Sequence, residues 1–413
     1  MKTKHLTCKI ALKPTIKQEE IFKQWAGASR FIYNWGLALR KQLYEEGKYK
    51  IDVYELNKYL NILKDSEKEY SWLNLIPSET RKQALKDMDT AYKRFFTISD
   101  SGFPKFKSKR KTPMAFYVRY DAIKIIDERH IKIPSSKDIE GDMIVKTYEK
   151  VNIPTGKILN SRIKYDGKYW YLTFVIRICK ENIGNSVIDR FVRNKSQIIN
   201  TPLSDALGID LGILHTMTLS NGKTYENINK DYEDISKTQE EKVLTNETIR
   251  LRKKLKRLQR KLNKKYKMHK QGNKHVKTNN IKKLEQQIRL VNRRIKNIRN
   301  THISQMTTEI VKTKPSKVVM ETLDVSNMLK NRKLAKSIQD QSFYEIRRQM
   351  EYKCDIYGIL FKLVDKLFPS SKLCSKCGYK NASLTLKDRQ YNCPQCGLSI
   401  DRDLNAAINL SMQ

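Results

Sequence analysis

Four cysteines with metal-ligand spacing constrain the fold of this chain most. Two Cys-x2-Cys pairs lie 15 residues apart and a glycine follows each pair; the cysteines are Cys374, Cys377, Cys393 and Cys396. Four thiolates at this spacing complete a tetrahedral site for one structural Zn²⁺. A redox-active motif would occur singly, in a thioredoxin-like βαβ context. The pattern therefore predicts a small zinc ribbon over residues 369–397, and the remaining Cys8, Cys179 and Cys354 are interpreted as apolar core residues.

The charge balance restricts the partners. Lys and Arg number 83 and Asp and Glu 44, which gives a formal net charge of +39. Such a surplus opposes its own compaction unless a polyanion neutralises it, so we expect a nucleic-acid-binding protein. No apolar run approaches the ~18 residues of a membrane span, and the first residues lack the apolar segment of a signal peptide. We therefore expect no membrane partner and a prokaryotic cytoplasmic location, nucleoid-associated when DNA is bound.

Residues 240–313 concentrate this charge. Between Arg250 and Asn300 there are 21 Lys or Arg and one acid, Glu285. Apolar residues recur every three or four positions on both sides of a polar break, first through Leu251, Leu255, Leu258 and Leu262, then through Ile281, Leu284, Ile288, Val291, Ile295 and Ile298. This periodicity predicts an antiparallel helical hairpin. A solvated coiled coil would carry balanced charges, so we predict a phosphate-contacting surface that includes Lys254, Arg257, Lys261 and Lys264.

The rest of the chain changes pattern from segment to segment. Residues 1–13 alternate like a strand, 14–101 are helical, and 102–183 are β-like with a hairpin signal at Asp166-Gly167. We interpret Tyr33, Trp35, Tyr92 and Phe95 as core residues rather than base-stacking platforms. Residues 184–205 read as a linker. Residues 206–368 and 398–413 show strands, a type I′ hairpin signal at Asn221-Gly222, helices and a last helix, an α/β order that matches a ribonuclease H-like layout with the basic hairpin inserted.

Three carboxylates occupy notable places in that order. Asp210 lies in the first strand between two glycines, Glu321 ends a buried strand, and Asp403 opens the last helix. Taken singly, Asp210 would be read as a turn or cap residue, Glu321 as a surface residue and Asp403 as an N-cap. In a ribonuclease H-like sheet they converge on one face, where they repel one another unless divalent cations neutralise them. The set therefore predicts a site for two Mg²⁺ ions and phosphodiester hydrolysis.

At this point the chain resembles a known family. The run FPSSKLCSKCGYKNASLTLKDRQYNCPQCGLSIDRDLNAAINL is similar to the C-terminal signature of the TnpB family, transposon-encoded RNA-guided DNA nucleases related to compact type V CRISPR effectors. GIDLG, VVMETLDV, QSFYEIRRQMEYK, RFIYNWGLALR and FPKFKSKR extend the resemblance over nearly the whole chain. It implies that Asp210, Glu321 and Asp403 form a RuvC-type triad, with Asp401 a neighbour. Thr322 and Ala115 depart from the family's usual residues.

The resemblance also implies an architecture and partners. The fold would be multidomain α+β: a β-barrel-like wedge (1–13 and 102–183) with an inserted helical recognition domain (14–101), a RuvC-like nuclease domain and the zinc ribbon. One chain would bind one guide RNA, transcribed from the transposon end, and would cleave double-stranded DNA beside a short target-adjacent motif. Gln83, Lys105 and Lys107 would help to read that motif; the alternative is a helix-surface amide and two solvated lysines.

Other functions remain open at this stage. A compact type V CRISPR effector would have the same chemistry. A guided DNA-binding repressor should have lost at least one of the three carboxylates. A strand-transferring transposase would also use an acidic site, but it would need to recognise transposon ends.

Overall fold

The computed structural model describes residues 3–47, 51–99, 101–109, 112–134, 143–151, 157–179, 205–229, 239–272, 274–385 and 388–413. The chain divides into two units, Met1–Arg193 and Asn194–Gln413. The linker predicted at 184–205 falls outside the described residues except for Asp205. Within the described ranges, no helix is both long and apolar enough to span a bilayer.

A seven-stranded antiparallel sheet organises the first unit. The strands are β1 (Thr3–Lys13), β2 (Ala115–Tyr117), β3 (Lys124–Asp127), β4 (His130–Ile133), β5 (Met143–Thr147), β6 (Lys157–Tyr165) and β7 (Trp170–Cys179). Their order is β2-β6-β7-β1-β5-β4-β3. In β1, Cys8, Ile10 and Leu12 are buried, as the alternation predicts for one face of a strand. The side chain of Cys179 lies outside the described part of the chain.

Helices fill the connection between β1 and β2. They are α1 (Ile16–Glu45), α2 (Val53–Ser66), a 3₁₀ helix (Lys68–Leu75) and α3 (Ser78–Thr97). α1 begins with a capping box between Thr15 and Gln18. Tyr33 is buried in their shared core, as predicted, but Phe95 is 36% exposed. The core interpretation of Phe95 is wrong because every residue from 93 to 98, in the last turn of α3 and just past it, is exposed.

The second unit begins with an antiparallel meander of β8 (Leu207–Leu211), β9 (His215–Leu219) and β10 (Thr224–Glu226). A type I′ turn needs positive φ at both central residues. At positions 221–222 only Gly222 has a positive φ (86°), and at positions 166–167 only Gly167 has one (101°). Both hairpins form, but the predicted type I′ turn is wrong: the loop at 220–222 has three residues, closed by a bond from the Leu219 N–H to the Lys223 carbonyl.

The basic hairpin follows. α4 (Gln239–Met268) and α5 (Asn279–Lys312) pack together, and the short strands β11 (Lys270–Gln271) and β12 (Lys274–His275) form the tip. Four residues of the predicted apolar stripes are buried: Leu258, Ile281, Val291 and Ile298. The α5 N-terminus is capped by Thr278, which accepts a hydrogen bond from the Ile281 N–H.

The remaining elements complete a five-stranded mixed sheet. They are β13 (Lys317–Glu321), α6 (Val325–Met328), α7 (Ala335–Gln341), α8 (Phe343–Tyr357), β14 (Leu360–Val364), β15 (Gln390–Asn392), β16 (Ser399–Asp401) and α9 (Arg402–Ser411). The sheet order is β10-β9-β8-β13-β14, and β13 runs parallel to both of its neighbours. α8 buries one face through Phe343, Ile346, Met350 and Cys354. β8, buried along its whole length, lies at the centre.

Candidate functional site

The packing of α9 on β8 depends on one glycine. A Cβ added at Gly208 would lie 1.9 Å from the Ala407 carbonyl oxygen and 2.6 Å from the Ser411 nitrogen. Real Cβ atoms do not approach backbone that closely, so only glycine lets the helix backbone rest directly on the strand. The face of β8 that carries Gly208 is therefore the face that α9 covers.

Strand alternation and register bring the carboxylates to this same face. Asp210 is two residues after Gly208, so both point to one side of the sheet. β13 pairs in parallel with β8 through Met320 and Ile209, and the next step of that register sets Glu321 beside Asp210. Asp403 is one helical turn before Ala407 on α9. The three acids thus come from the first strand of the sheet, from β13, its fourth strand along the chain, and from the last helix of the unit.

The electrostatics of the group show mutual repulsion. Asp210 is 9% exposed, and burial raises its pKa well above the usual range, with further increases from Glu321 and Asp403. Burial also raises the pKa of Glu321 to about 7; a backbone hydrogen bond from Leu211 opposes this increase and Asp403 adds to it. These carboxyls resist carrying negative charge together, and added positive charge would relieve that strain.

Two neighbours of Asp403 have distinct roles. Asp401 is the N-cap of α9, because its carboxylate accepts hydrogen bonds from the N–H groups of Asp403 and Leu404, both at 2.9 Å. The N-cap position, which Asp403 would occupy if it were considered singly, therefore belongs to Asp401. Asp403 instead pairs with Arg402, with 3.0 Å between Nη2 and Oδ1. The Arg402 guanidinium also donates to the Asp388 carbonyl at 2.9 Å and lowers the pKa of Asp210.

The four cysteines form a second cluster. Their four sulfur atoms all lie within 4.8 Å of one another. Within the described ranges, no other group of three or more potential metal ligands is this compact, and the three carboxylates are farther apart. Cys374 Sγ lies 3.6 Å from Cys396 Sγ, and the same distance separates Cys377 from Cys393. A disulfide needs about 2.0 Å. Sulfurs about 2.3 Å from a shared tetrahedral ion lie about 3.8 Å apart, so the arrangement could hold one metal ion.

The thiols of this cluster differ in acidity. Burial raises the pKa of Cys393, but backbone hydrogen bonds from Cys396 and Gln395 and its contacts with Cys377 and Cys396 lower it overall, to about 7. A backbone hydrogen bond from Tyr379 lowers the pKa of Cys377, yet desolvation and the other three sulfurs raise it to about 12. A cation between the sulfurs would favour their charged forms.

The loops around the cysteines repeat one backbone geometry. Gly378 (φ 75°) and Gly397 (φ 70°) each follow a cysteine pair and donate to the carbonyls of Cys374 and Cys393. Positive φ at these turns explains the glycine after each pair. Tyr391 is fully buried in a cluster with Cys374 and Cys393, which gives the ribbon a small apolar core of its own.

Two asparagines that sequence reasoning missed join α9 to this ribbon. Asn405 is fully buried; its side chain accepts from the Ser375 N–H at 2.9 Å and donates to the Leu373 carbonyl at 2.6 Å. Asn409 donates to the carbonyls of Ser370 and Leu373 at 2.8 and 2.7 Å. Buried amides four residues apart on a helix are the signal that could have revealed this contact.

The predicted phosphate-contacting residues of α4 are exposed. Lys254, Arg257, Lys261 and Lys264 all face solvent, and none has an ion-pair partner within the described residues. Other cations of the hairpin are neutralised, since Arg294 pairs with Glu247 and Lys277 with Glu285. Uncompensated positive charge therefore remains at these four positions of α4.

Two of the three predicted motif-reading residues have partners within the protein. Gln83 donates to Asp87, which also forms a bidentate ion pair with Arg162 at 2.7 and 2.8 Å. The Lys107 ammonium lies 3.6 Å from the centre of the Tyr33 ring, and burial lowers its pKa. Lys105 is exposed.

Two family models match parts of the chain. The model described as "Cas12f1-like, TNB domain" matches residues 343–410, and the model described as "Helix-turn-helix domain" matches residues 1–49. In the structure, the described part of residues 1–49 forms one strand, β1, and one long helix, α1.

Curated relatives and solved structures match over a longer range. A Streptomyces pristinaespiralis protein named "Putative RNA-guided DNA endonuclease" is 28% identical over 96% of this chain and 86% of its own length. "Putative RNA-guided DNA endonuclease InsQ" of Escherichia coli K12 is 29% identical over 97% and 90%. The structure titled "Cryo-EM structure of the Cas12f1-sgRNA-target DNA complex" is similar in fold, with a TM-score of 0.56 and 18% identity over 96% of this chain and 83% of that one. The resemblance to the TnpB family and a multidomain mixed α/β fold are confirmed.

Proposed function

We propose that this chain, a relative of the TnpB family, is an RNA-guided DNA endonuclease of transposon origin. It uses a guide RNA derived from the transposon end to find matching double-stranded DNA beside a short motif, and it hydrolyses the phosphodiester backbone. One observation carries the proposal: Asp210, Glu321 and Asp403 share the α9-covered face of the sheet, and two of them have raised pKa values. The names of the two full-length relatives supply the reaction class.

The carboxylates fit divalent cations because they are buried and repel one another. Asp210, Glu321 and Asp403 would hold two Mg²⁺ ions, since carboxylates and water are the ligands that Mg²⁺ prefers. Bound there, the ions would supply a nucleophilic hydroxide at neutral pH and stabilise the leaving oxygen, for hydrolysis to a 5′-phosphate and a 3′-hydroxyl. Arg402 orients Asp403, and Gly208 lets α9 lie close enough to present it.

The cysteine cluster fits one structural Zn²⁺. All four ligands are thiolates and no position is left for water, which is the ligand set of a closed structural site rather than a catalytic one. Cys374, Cys377, Cys393 and Cys396 would thereby fix the ribbon onto which Asn405 and Asn409 hold α9.

Nucleic-acid binding would be divided among the segments. The β-rich residues 1–13 and 102–183, the helical recognition residues 14–101 and the exposed cations of α4 would grip one guide RNA per chain by its backbone and shape, while base pairing reads the target sequence. Among Gln83, Lys105 and Lys107, Lys105 is the residue whose charge is most accessible to a duplex. Gln83 and Lys107 would reach DNA only after leaving their present partners.

The decisive experiment separates binding from chemistry with Asp210→Ala. Pairing between guide and target does not involve this carboxylate, so the variant should bind guide RNA and matched duplex like the wild type. It should cut neither strand in Mg²⁺, because one of the three proposed metal ligands is gone. Cleavage gels and filter binding on the copurified ribonucleoprotein measure both. Robust cutting by Asp210→Ala would refute the two-metal assignment, and sequencing the copurified RNA identifies the origin of the guide.

A further inference from the structure

Four aromatic rings cluster at the C-terminal end of α3; three are exposed, and Tyr92 is half-buried against the helical core. Tyr92, Phe95, Phe96 and Phe103 contact one another with ring centroids 5.0–5.8 Å apart and interplanar angles of 57–79°. Phe95, Phe96 and Phe103 are 36%, 66% and 41% exposed. The rings support one another through tilted and edge contacts while their outer surfaces remain open to solvent. A contiguous exposed apolar group of this kind marks a binding surface.

The Tyr92 ring of this cluster is held in place by a buried ion pair. The Arg40 guanidinium lies 4.9 Å from the centre of the Tyr92 ring. Arg40 is fixed in turn by Asp89 at 2.7 Å and by the Ile51 carbonyl at 2.7 Å, and both side chains of the ion pair are close to 90% buried. A surface that is already ordered loses little conformational entropy when a ligand binds.

Cations lie close to the ring cluster in the sequence. Lys93, Arg94, Lys105 and Lys109 lie within the same stretch of chain and are all exposed. Asp89, the acid within this part of α3, is already engaged by Arg40 and Lys93. Open aromatic faces flanked by positive charge suit a ligand that presents flat rings and phosphates together.

We propose that Tyr92, Phe95, Phe96 and Phe103 form a stacking platform for unpaired bases of a single nucleic-acid strand. The most exposed ring, Phe96, receives a base, and the neighbouring cations hold the flanking phosphates. The choice of nucleic acid as partner rests on the proposed function, but stacking requires neither the carboxylates nor cleavage. Guide RNA and a separated DNA strand present the same chemistry, an unpaired base between phosphates.

The test compares strands with and without bases. Fluorescence anisotropy of the full-length chain is measured with U12, dT12 and a 12-unit abasic strand, in about 0.5 M salt to screen the phosphate attraction. Phe96→Ala should weaken binding of the base-bearing strands about tenfold and leave the abasic strand unchanged. Phe96→Tyr keeps the ring and should bind like the wild type. Tyr54→Ala, which removes a ring 76% exposed on α2 beside Asp52 and Glu55, is the matched control and should also bind normally.

Each outcome decides the matter. A larger loss with U12 assigns the platform to RNA, and a larger loss with dT12 assigns it to DNA. The proposal is overturned if Phe96→Ala binds U12 and dT12 as the wild type does. It is also overturned if Phe96→Ala weakens binding of the abasic strand as much as binding of the base-bearing strands. Self-association of the wild type that Phe96→Ala abolishes would overturn it as well. Failure here leaves the cleavage prediction for Asp210→Ala untouched, and cleavage by Asp210→Ala would leave the stacking result standing, so the two proposals fail separately.

Discussion

At the scale of single residues, Gly208 controls the approach of α9 to the sheet. Gly208→Ala places a methyl group 1.9 Å from the Ala407 carbonyl oxygen, so the helix must move. We expect a loss of about 1–3 kcal/mol of stability, the usual cost of overpacking, and a melting temperature lower by several degrees. Cleavage should fall more than DNA binding, because α9 carries Asp403.

The matched control for this change is Gly27→Ala. A methyl group at Gly27, inside α1, meets only the Arg30 side chain at 3.9 Å. Alanine is the better helix former, so this variant should be stabilised by about 0.5–1 kcal/mol. Differential scanning calorimetry of both variants measures the contrast; equal melting temperatures for Gly208→Ala and wild type would show that α9 does not rest on β8.

The two aspartates at the start of α9 should respond differently to loss of charge. Asn caps a helix as well as Asp does, so Asp401→Asn should keep both the helix and measurable cleavage. Asp403→Asn removes a proposed metal ligand and should abolish cutting. Gel assays of both variants decide the assignment, and full activity of Asp403→Asn beside an inactive Asp401→Asn would move the third ligand two residues upstream.

Residues whose role depends on neighbouring sequence were easier to predict than residues whose partners lie far away along the chain. The four cysteines could be chosen because their spacing is local, whereas Asp210, Glu321 and Asp403 could be proposed only together, from their joint placement in a ribonuclease H-like order. Lys353 could not: it is 3% exposed, and its ammonium donates to Ser304, Thr307 and Thr308 on α5, nearly fifty residues away. Arg402 and the paired asparagines of α9 were missed for the same reason.

At the scale of elements, the zinc ribbon should depend on its ion. Cys374→Ser removes one of four thiolates, and structural zinc binding is worth about 10–16 kcal/mol, as much as a whole domain's stability. The variant should lose about one Zn²⁺ per chain, exchange amide hydrogens faster over 369–400 and cleave more slowly. Cys8→Ala, a buried cysteine outside the cluster, should keep its zinc. Elemental analysis that finds no zinc in the wild type would contradict the assignment.

The basic hairpin should contribute affinity without sequence preference. Replacing Lys254, Arg257, Lys261 and Lys264 with Gln should weaken nucleic-acid binding for every sequence. The slope of log affinity against log salt should become shallower by up to about 3–4 units. Removing the neutralised pair Arg294–Glu247 with two Gln substitutions is the control and should change the slope little. A loss confined to one target sequence would exclude simple phosphate contact.

The elements themselves were predicted well where one period dominated. The strand β1, the hairpin α4–α5 and the helix α8 all followed from their apolar spacing. The meander was predicted as two strands but has three, because the chain reverses at Gly212, where an added Cβ would meet the His215 carbonyl oxygen at 2.8 Å. Such a close backbone approach leaves no periodic trace in a sequence.

At the scale of the whole molecule, the net charge of +39 should make stability depend on polyanions. A polyanion that binds only the folded chain at 100 times its dissociation constant adds about 2.7 kcal/mol. Heparin or RNA at low salt should therefore raise the melting temperature by several degrees, and neutral dextran should not. The increase should shrink as salt is added. A melting temperature indifferent to heparin would mean that this charge is compensated within the protein.

The packing of α9 against β8 also determines when the site can form during synthesis of the chain. Strand β8 is made when half of the chain has been synthesised, but the helix that covers it and carries Asp403 is made about 190 residues later. At about 5–20 residues per second, that interval lasts roughly 10–40 s. Throughout it the central strand lacks its cover and Asp210 lacks Asp403. A nascent chain can thus meet RNA through its earlier segments before it is able to cut anything.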